Sequence, residues 1–313
     1  MPAPALFVAS GLAQYGGAAL AIGLFAVLPS PTVAWLRIAV AALVLLAWRR
    51  PWRARWTRPD LLAAVAFGVV LAAMNIAFYL AIDVLPLGTA VAIEFLGPVA
   101  VAAVTGRTWQ ERGGILVAAV GVLLLAGAEL EGGGAPGAVR GLVAIGFAAA
   151  CWAGYILLGR RVAQGRRPAA ADLAAADPAA ADSAAGAAAD AAEGRRAPDG
   201  IGSLAVGMSA GALVSAPFLA AAARPVLHDV GLALSVVGIA VLSSVLPYAI
   251  EQVVLRRVTA ATFAVLLAML PATAAVVGAL ALRQWPHGWE LAGLACVTLA
   301  IVLTATRRTP DPS

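Results

Sequence analysis

In AIEFLGPVAV, residues 92–101, Glu94 and Pro98 stand four residues apart inside an otherwise apolar run. Proline has no N–H, so on a helix it cannot bond the carbonyl of residue 94. One helical level thus carries both the carboxyl group and the unbonded carbonyl of Glu94. Facing lipid, both would go unsatisfied, and a central acidic side chain alone costs about 2.5 to 3.5 kcal/mol on insertion scales. The chemistry such a residue serves is binding of a proton or an amine in a wet cavity. The plainer reading is a carboxylic acid that bonds a neighbouring helix and only fixes packing.

Other polar groups fall in apolar stretches at comparable depth. Gln14 and Tyr15 lie midway along the first stretch, and Thr89 precedes Glu94 in the fourth. Asn75 and Tyr79 are one turn apart in the third and share a face. Pro247 releases the carbonyl of Ser243 just before Tyr248 and Glu251. Glu251 reads equally as a transport residue and as a rim residue paired with Arg256. Arg37, in the second stretch, reads first as a structural clamp and second as a binder of substrate carboxylate. Trp152 lies three residues before Tyr155 in the sixth stretch and either lines a cavity wall or packs.

No catalytic constellation is visible. GMSAG, residues 207–211, has the G-x-S-x-G form, but His228 and His287 are expected at the outer helix ends while Ser209 is nearer the cytoplasm. Small-xxx-small helix packing explains these glycines better. H-E-x-x-H, Cys/His clusters and phosphate-cradling loops are absent, so no enzyme activity, metal or cofactor is expected. Cys151 and Cys296 read as small packing residues.

The elements that must position these residues are set by composition. Of 313 residues, 62% are hydrophobic and 12% charged, which suits a bilayer rather than a soluble domain. Stretches of about 20 mainly apolar residues place ten spans near 4–28, 31–48, 59–82, 85–105, 110–128, 138–161, 201–222, 231–255, 259–282 and 288–306. MPAPALFVASG has no basic region ahead of its apolar run, so no cleavable signal peptide is expected. All arginines except Arg37, Arg140, Arg224 and Arg283 fall on one side if the N-terminus is cytoplasmic; by the positive-inside rule, both termini are cytoplasmic. The net charge of +5 then reports loop arginines facing anionic lipid heads, not nucleic acid. Trp35, Trp48, Trp52, Trp56, Trp109, Trp285 and Trp289 fit an aromatic belt at span ends.

Five spans per half is odd, so homologous halves would have opposite orientations. A shift of 173 residues lays LPLGTAVAIEFLGPVAVAAV, from Leu85, on VTAATFAVLLAMLPATAAVV, from Val258, matching Thr89 with Thr262 and Pro98 with Pro271. Matched prolines in corresponding helices of inverted halves point to a transporter binding site. The expected organisation is a first repeat over 1–135, the sixth helix over 136–164 opening the second repeat, a cytoplasmic Ala/Asp-rich linker over 165–200, the rest of the second repeat over 201–307, and a tail over 308–313. The linker has Asp172, Asp177 and Asp182 at a spacing that fits neither helix nor strand.

FGVVLAAMNIAFYLAIDVLPLGTAVAIEFLGPVAV from Phe67, ACWAGYILLGRR from Ala150, and VLSSVLPYAIEQVVLRRVTAATFAVLLAMLPATAAVVG from Val241 together resemble EamA-type transporters of the drug/metabolite transporter superfamily. The threonine/homoserine exporter branch is nearest, and the likeness covers nearly all the chain except the linker. It implies an all-α integral membrane fold of ten transmembrane helices in two inverted five-helix repeats. A central cavity would lie among helices 1 to 4 and 6 to 9, with helices 5 and 10 peripheral. Carried over by motif, the substrate-binding candidates are Glu94, Asn75, Tyr79, Trp152, Tyr155, Tyr248 and Glu251, to which Gln14 is added; helix breaks are expected at Pro98, Pro247 and Pro271. Leu270 stands where the branch carries Glu, Arg283-Gln284 replace an acidic helix end, and Asp83 is unusual. The implied activity is export of small polar metabolites, foremost amino acids such as threonine or homoserine, across the bacterial inner membrane. The partners implied are the small-molecule substrate, the bilayer and a proton as candidate coupling ion. The competing readings are a broad exporter of drugs or aromatic compounds, an intramembrane enzyme, and a non-transport membrane protein.

Overall fold

The structure, a computed structural model, describes residues 3–54, 56–105, 109–131, 136–154, 156, 200–247, 250 and 266–305; every regular element among them is helical. The helices are α1 (Ala3–Leu24), α2 (Ser30–Arg49), α3 (Arg58–Ile82), α4a (Leu87–Glu94), α4b (Leu96–Thr105), α5 (Trp109–Glu131), α6 (Ala138–Gly154), α7 (Gly200–Leu219), α8 (Val230–Ala240), α9 (Met269–Leu282) and α10 (Gly288–Ala305). α1, α2, α3, α5 and α7 with its 3-10 extension are long and apolar enough to cross a membrane; α4, α6, α8, α9 and α10 are apolar but shorter. Leu62, Leu116, Leu123, Leu213 and Phe218 stand exposed on the outside of the bundle. An apolar exterior is what a lipid solvent selects, since apolarity all round a helix leaves no polar face for water. Tyr155, Tyr248, Glu251 and the linker up to residue 199 lie outside the described residues.

Helix ends are fixed by local chemistry. Thr57 caps α3, its hydroxyl oxygen accepting the Asp60 N–H at 3.3 Å, and Asp229 caps α8 by accepting the Leu232 N–H at 3.0 Å. Pro86 precedes α4a and offers no side-chain cap. Gln284, from the far half of the chain, supplies it: its Oε1 accepts the Leu87 N–H at 3.0 Å. Gln284 reaches that point because α9 ends with Arg283 in the left-handed conformation (φ 57°) and the Gln284 N–H bonds back to the Gly278 carbonyl at 3.0 Å, folding the chain back onto the last turns of the helix.

Three prolines shape the interior. Pro98 and Pro271 do not break the helix where they stand, as the sequence led us to expect. The interruptions fall three residues earlier, at Phe95 (φ −64°, ψ −10°) and Ala268 (φ −63°, ψ −16°). Proline is tolerated in the first turn of a new helix, so the distortion is displaced to the turn before it. Ahead of Pro247, Val241–Val245 form a π-turn, with the Leu246 N–H bonding the Val241 carbonyl.

Packing is close wherever glycine permits. A Cβ on Gly68 would overlap the Gly207 carbonyl, and one on Gly211 would lie 2.5 Å from the Gly68 carbonyl oxygen. α3 and α7 thus meet backbone to backbone through the glycines of GMSAG. Trp35, read as a belt residue, instead donates its indole N–H to the Ala212 carbonyl at 2.8 Å and ties α2 to α7. The principal helix contacts are α2 and α3 on α7, α1 and α4 on α9, and α5 on α10.

Candidate functional site

A cavity of about 220 Å³ lies between the first four helices and α6 to α9. α3 contributes Phe67, Leu71, Met74, Asn75 and Phe78, a stripe at helical spacing about 16 Å long at 1.5 Å per residue. Gln14, Tyr15 and Ala18 come from α1, Arg37 from α2, Glu94 from the end of α4a and Trp152 from α6; Ser243, Pro247, Leu267 and Leu270 close the opposite wall. Of the candidates drawn from sequence, Gln14, Asn75, Glu94, Trp152 and Pro247 therefore share one cavity.

Glu94 is only partly buried and lines the cavity. The residue after it is the interrupted turn, and Phe95 packs edge-on against Trp152 with ring centroids 4.8 Å apart. The break thus fixes both the carboxylate and the aromatic wall beside it. Asn75 donates one amide N–H to the Leu71 carbonyl at 2.7 Å, leaving its second N–H and its amide oxygen as the groups it can offer a solute. Ser243, in the π-turn, donates to the Gln14 carbonyl at 3.2 Å. That approach depends on Gly17, where a Cβ would overlap the Ser243 hydroxyl.

Tyr79 is placed differently from the expectation. It is 0% exposed and is not among the lining residues. Asn75 and Tyr79 do share the inner side of α3, but the stripe reaches the cavity only as far as Phe78, and Tyr79 stands behind its wall. There it supports Arg37, whose guanidinium carbon is 5.0 Å from the ring centroid. The Tyr79 hydroxyl points toward Arg37 and Ser243 but completes a hydrogen bond with neither.

Arg37 is the residue that the sequence reading undervalued. It is 8% exposed, lines the cavity, and has its Nε buried with no hydrogen-bond partner among the described residues. Among the described lining residues it is the one base and Glu94 the one acid. The signal was present, since an arginine inside an apolar span is expensive, but sequence could not say which way it faced. Tyr15 and Ser243 join the wall for the same reason: buried polar groups in lipid turn inward.

One end of the bundle is sealed. Leu28, Val33, Leu85, Leu87, Ala90 and Val91 are each at most 1% exposed. Two polar ties join the halves there: Leu87 with Gln284, and Asp83 with Arg140 at 3.7 Å. Ser30 also donates to Asp83, at 3.1 Å. The unusual Asp83 and the Arg283-Gln284 pair thus belong to this seal. Leu270, where an acid was expected, is 5% exposed and packs beside Gly11 at the cavity wall.

Among the described residues no three metal-ligating side chains cluster, and Cys151 and Cys296 are free thiols. Ser209 donates to the Ala205 carbonyl of its own helix at 2.7 Å.

The EamA-like transporter family profile matches residues 184–306. Threonine/homoserine exporter RhtA of Salmonella typhimurium (strain SL1344) is 33% identical over 316 residues, covering 99% of this chain and 94% of that protein. The chain belongs to the EamA-like transporter family. RhtA of Escherichia coli (strain K12) is likewise 33% identical, over 96% of this chain and 90% of its own. A solved crystal structure at 16% identity covers 96% of this chain and 95% of its own with a TM-score of 0.52, a likeness of fold alone. As a member of the EamA-like family the protein is a multi-pass membrane transporter, and its cavity is read below in that light.

Proposed function

We propose that the protein is a secondary transporter of the bacterial inner membrane that exports small polar amino acids of the threonine and homoserine kind by alternating access. The observation that carries this is a small cavity between the two halves of the chain in which Glu94, the one acidic side chain among the described lining residues, stands at a proline-linked helix interruption. Its volume of about 220 Å³ falls below the roughly 300 to 1,000 Å³ typical of drug-sized pockets, which favours a small metabolite over a broad drug substrate. Glu94 takes the substrate ammonium or the coupling proton. Gln14, Asn75 and Trp152 shape the wall, Tyr79 backs it, and Tyr155, Tyr248 and Glu251 complete the proposed set.

The proposal includes ten spans in two inverted repeats, 1–135 and 136–307, with both termini and the 165–200 linker in the cytoplasm. Two observations support it. The interruptions at Phe95 and Ala268 have nearly equal dihedral angles and are separated by the same shift that aligns the sequences. The helix contacts also pair as exchange of halves requires: α2 meets α7, α4 meets α9 and α5 meets α10, while α1 on α9 is answered by α6 on α4b and α3 on α7 by α8 on α2. On this orientation the sealed end carrying Asp83 and Gln284 is periplasmic, and the cavity extends toward the cytoplasm past Phe67 and Leu204. The conformation is then inward-facing, ready to load substrate for export. Nothing in this arrangement calls for catalysis.

Reconstitution tests the reading. Liposomes containing the protein should exchange labelled threonine or homoserine, and Glu94→Gln should abolish gradient-driven efflux while the protein still inserts and folds. Undiminished proton-driven efflux from that variant would remove Glu94 from the mechanism.

A further inference from the structure

We propose that Arg37 binds the carboxylate of the transported solute, so that the cavity selects zwitterions bearing an anionic and a cationic group. This rests on the exporter reading above and names what its site recognises.

Arg37 and Glu94 line the same cavity from α2 and α4a. Among the described residues, no carboxylate comes within the 4.0 Å of an ion pair with Arg37, Glu94 included. The cavity wall therefore carries one basic and one acidic side chain that are farther apart than an ion pair. The Arg37 Nε is buried and has no hydrogen-bond partner among the described residues. A guanidinium serving only as a clamp would direct that donor at a freed backbone carbonyl, because a buried donor without an acceptor is destabilising. Here the cation is steadied by the Tyr79 ring at 5.0 Å, which provides orientation without occupying the Nε–H. What remains on offer is the Nε–H of a planar guanidinium fork, and the group that matches such a fork is a carboxylate. With Glu94 as the complement of an ammonium, an α-amino acid satisfies both charges at once, and a solute lacking either leaves a buried charge unpaired.

The test uses the full chain in liposomes, with counterflow of labelled threonine as the assay. Unlabelled threonine, threoninamide and N-acetylthreonine compete in turn. Threoninamide keeps the ammonium and replaces the carboxylate by an uncharged amide; N-acetylthreonine does the reverse. In the wild type each analogue should compete at least about tenfold more weakly than threonine, the effect of one lost charge-assisted hydrogen bond. In Arg37→Gln the half-saturation for threonine should rise at least about tenfold, toward that of threoninamide, while competition by threoninamide hardly changes. Threoninamide competing as well as threonine in the wild type, or Arg37→Gln keeping the wild-type half-saturation, overturns the role of Arg37. Should Arg37→Gln not insert, the wild-type competition alone decides. Absence of exchange with any amino acid overturns the exporter reading and this inference with it, whereas exchange without preference for the carboxylate overturns this inference alone.

Discussion

The guanidinium carbon of Arg37 stands 5.0 Å from the centre of the Tyr79 ring, and neither side chain has more than a trace of solvent exposure. Tyr79 thus acts on the cavity through Arg37 rather than by touching its contents. Both belong to first-half helices, so in the proposed alternating-access cycle the pair would move as a unit.

This relation separates ring from hydroxyl. Tyr79→Phe keeps the aromatic face and removes a buried hydroxyl that has no hydrogen-bond partner among the described residues, so transport should persist and thermal stability should hold or rise slightly. Tyr79→Leu removes the cation–π contact, worth about 1 to 2 kcal/mol when desolvated, and should raise the half-saturation for substrate several-fold. Flux assays on the two variants side by side check this; equal loss in both would assign the role to the hydroxyl.

The sealed end should open more readily when its ties are cut. Gln284→Ala leaves the first turn of α4a uncapped, a loss of about 1 kcal/mol, whereas Gln284→Glu retains an acceptor oxygen. Asp83→Ala removes the contacts to Ser30 and Arg140. In a background with Cys151 and Cys296 replaced by Ala, a cysteine introduced at Val33 should be labelled faster by an impermeant thiol reagent in Gln284→Ala and Asp83→Ala than in the parent. Unchanged labelling would mean that apolar packing alone holds this end shut.

Gly68→Ala should be among the most damaging single-methyl additions. The added Cβ meets the Gly207 backbone, which has no rotamer to yield, so α3 and α7 must separate at a cost of about 1 to 3 kcal/mol. A lowered melting temperature in detergent is expected, and an unchanged one would show that the two helices slide freely.

Pro98→Ala restores an N–H that can bond the Glu94 carbonyl. The turn at Phe95 should then close into continuous helix and shift the Glu94 carboxyl and the Phe95 ring relative to Trp152. Transport should fall while stability is kept or improved, a combination read from flux and melting measured on the same preparation. Loss of both would make the proline a folding requirement instead.

Much of the fold was legible because the bilayer imposes a simple rule on each segment by itself. Apolar length marks the helices, arginine placement suggests their orientation, and the prolines at 98, 247 and 271 mark where helices deform. The exact place was not legible: the interruptions came three residues upstream, at Phe95 and Ala268, because a proline is comfortable in a new first turn and transfers its strain backward. The candidate site was legible in part. Glu94, Asn75, Gln14 and Trp152 were singled out as costly or polar in an apolar run, and the same cost argument applied to Arg37 without telling a clamp from a ligand. Asn75 and Tyr79 show the limit of spacing, since one turn apart on one face they still end on different sides of the cavity wall.

Sequence by itself determined what must be hidden from lipid: the charges, the amides and the opened turns, each read from local chemistry that needs no partner. Tertiary structure alone decided which of them face one another. Whether Arg37 neutralises Glu94 or leaves it free, and whether Gln284 is a lost acid or the cap of a helix nearly two hundred residues away, depends on how helices distant in sequence are brought together. No local rule carries that information, because the energy of a buried polar group is set by the neighbour it meets.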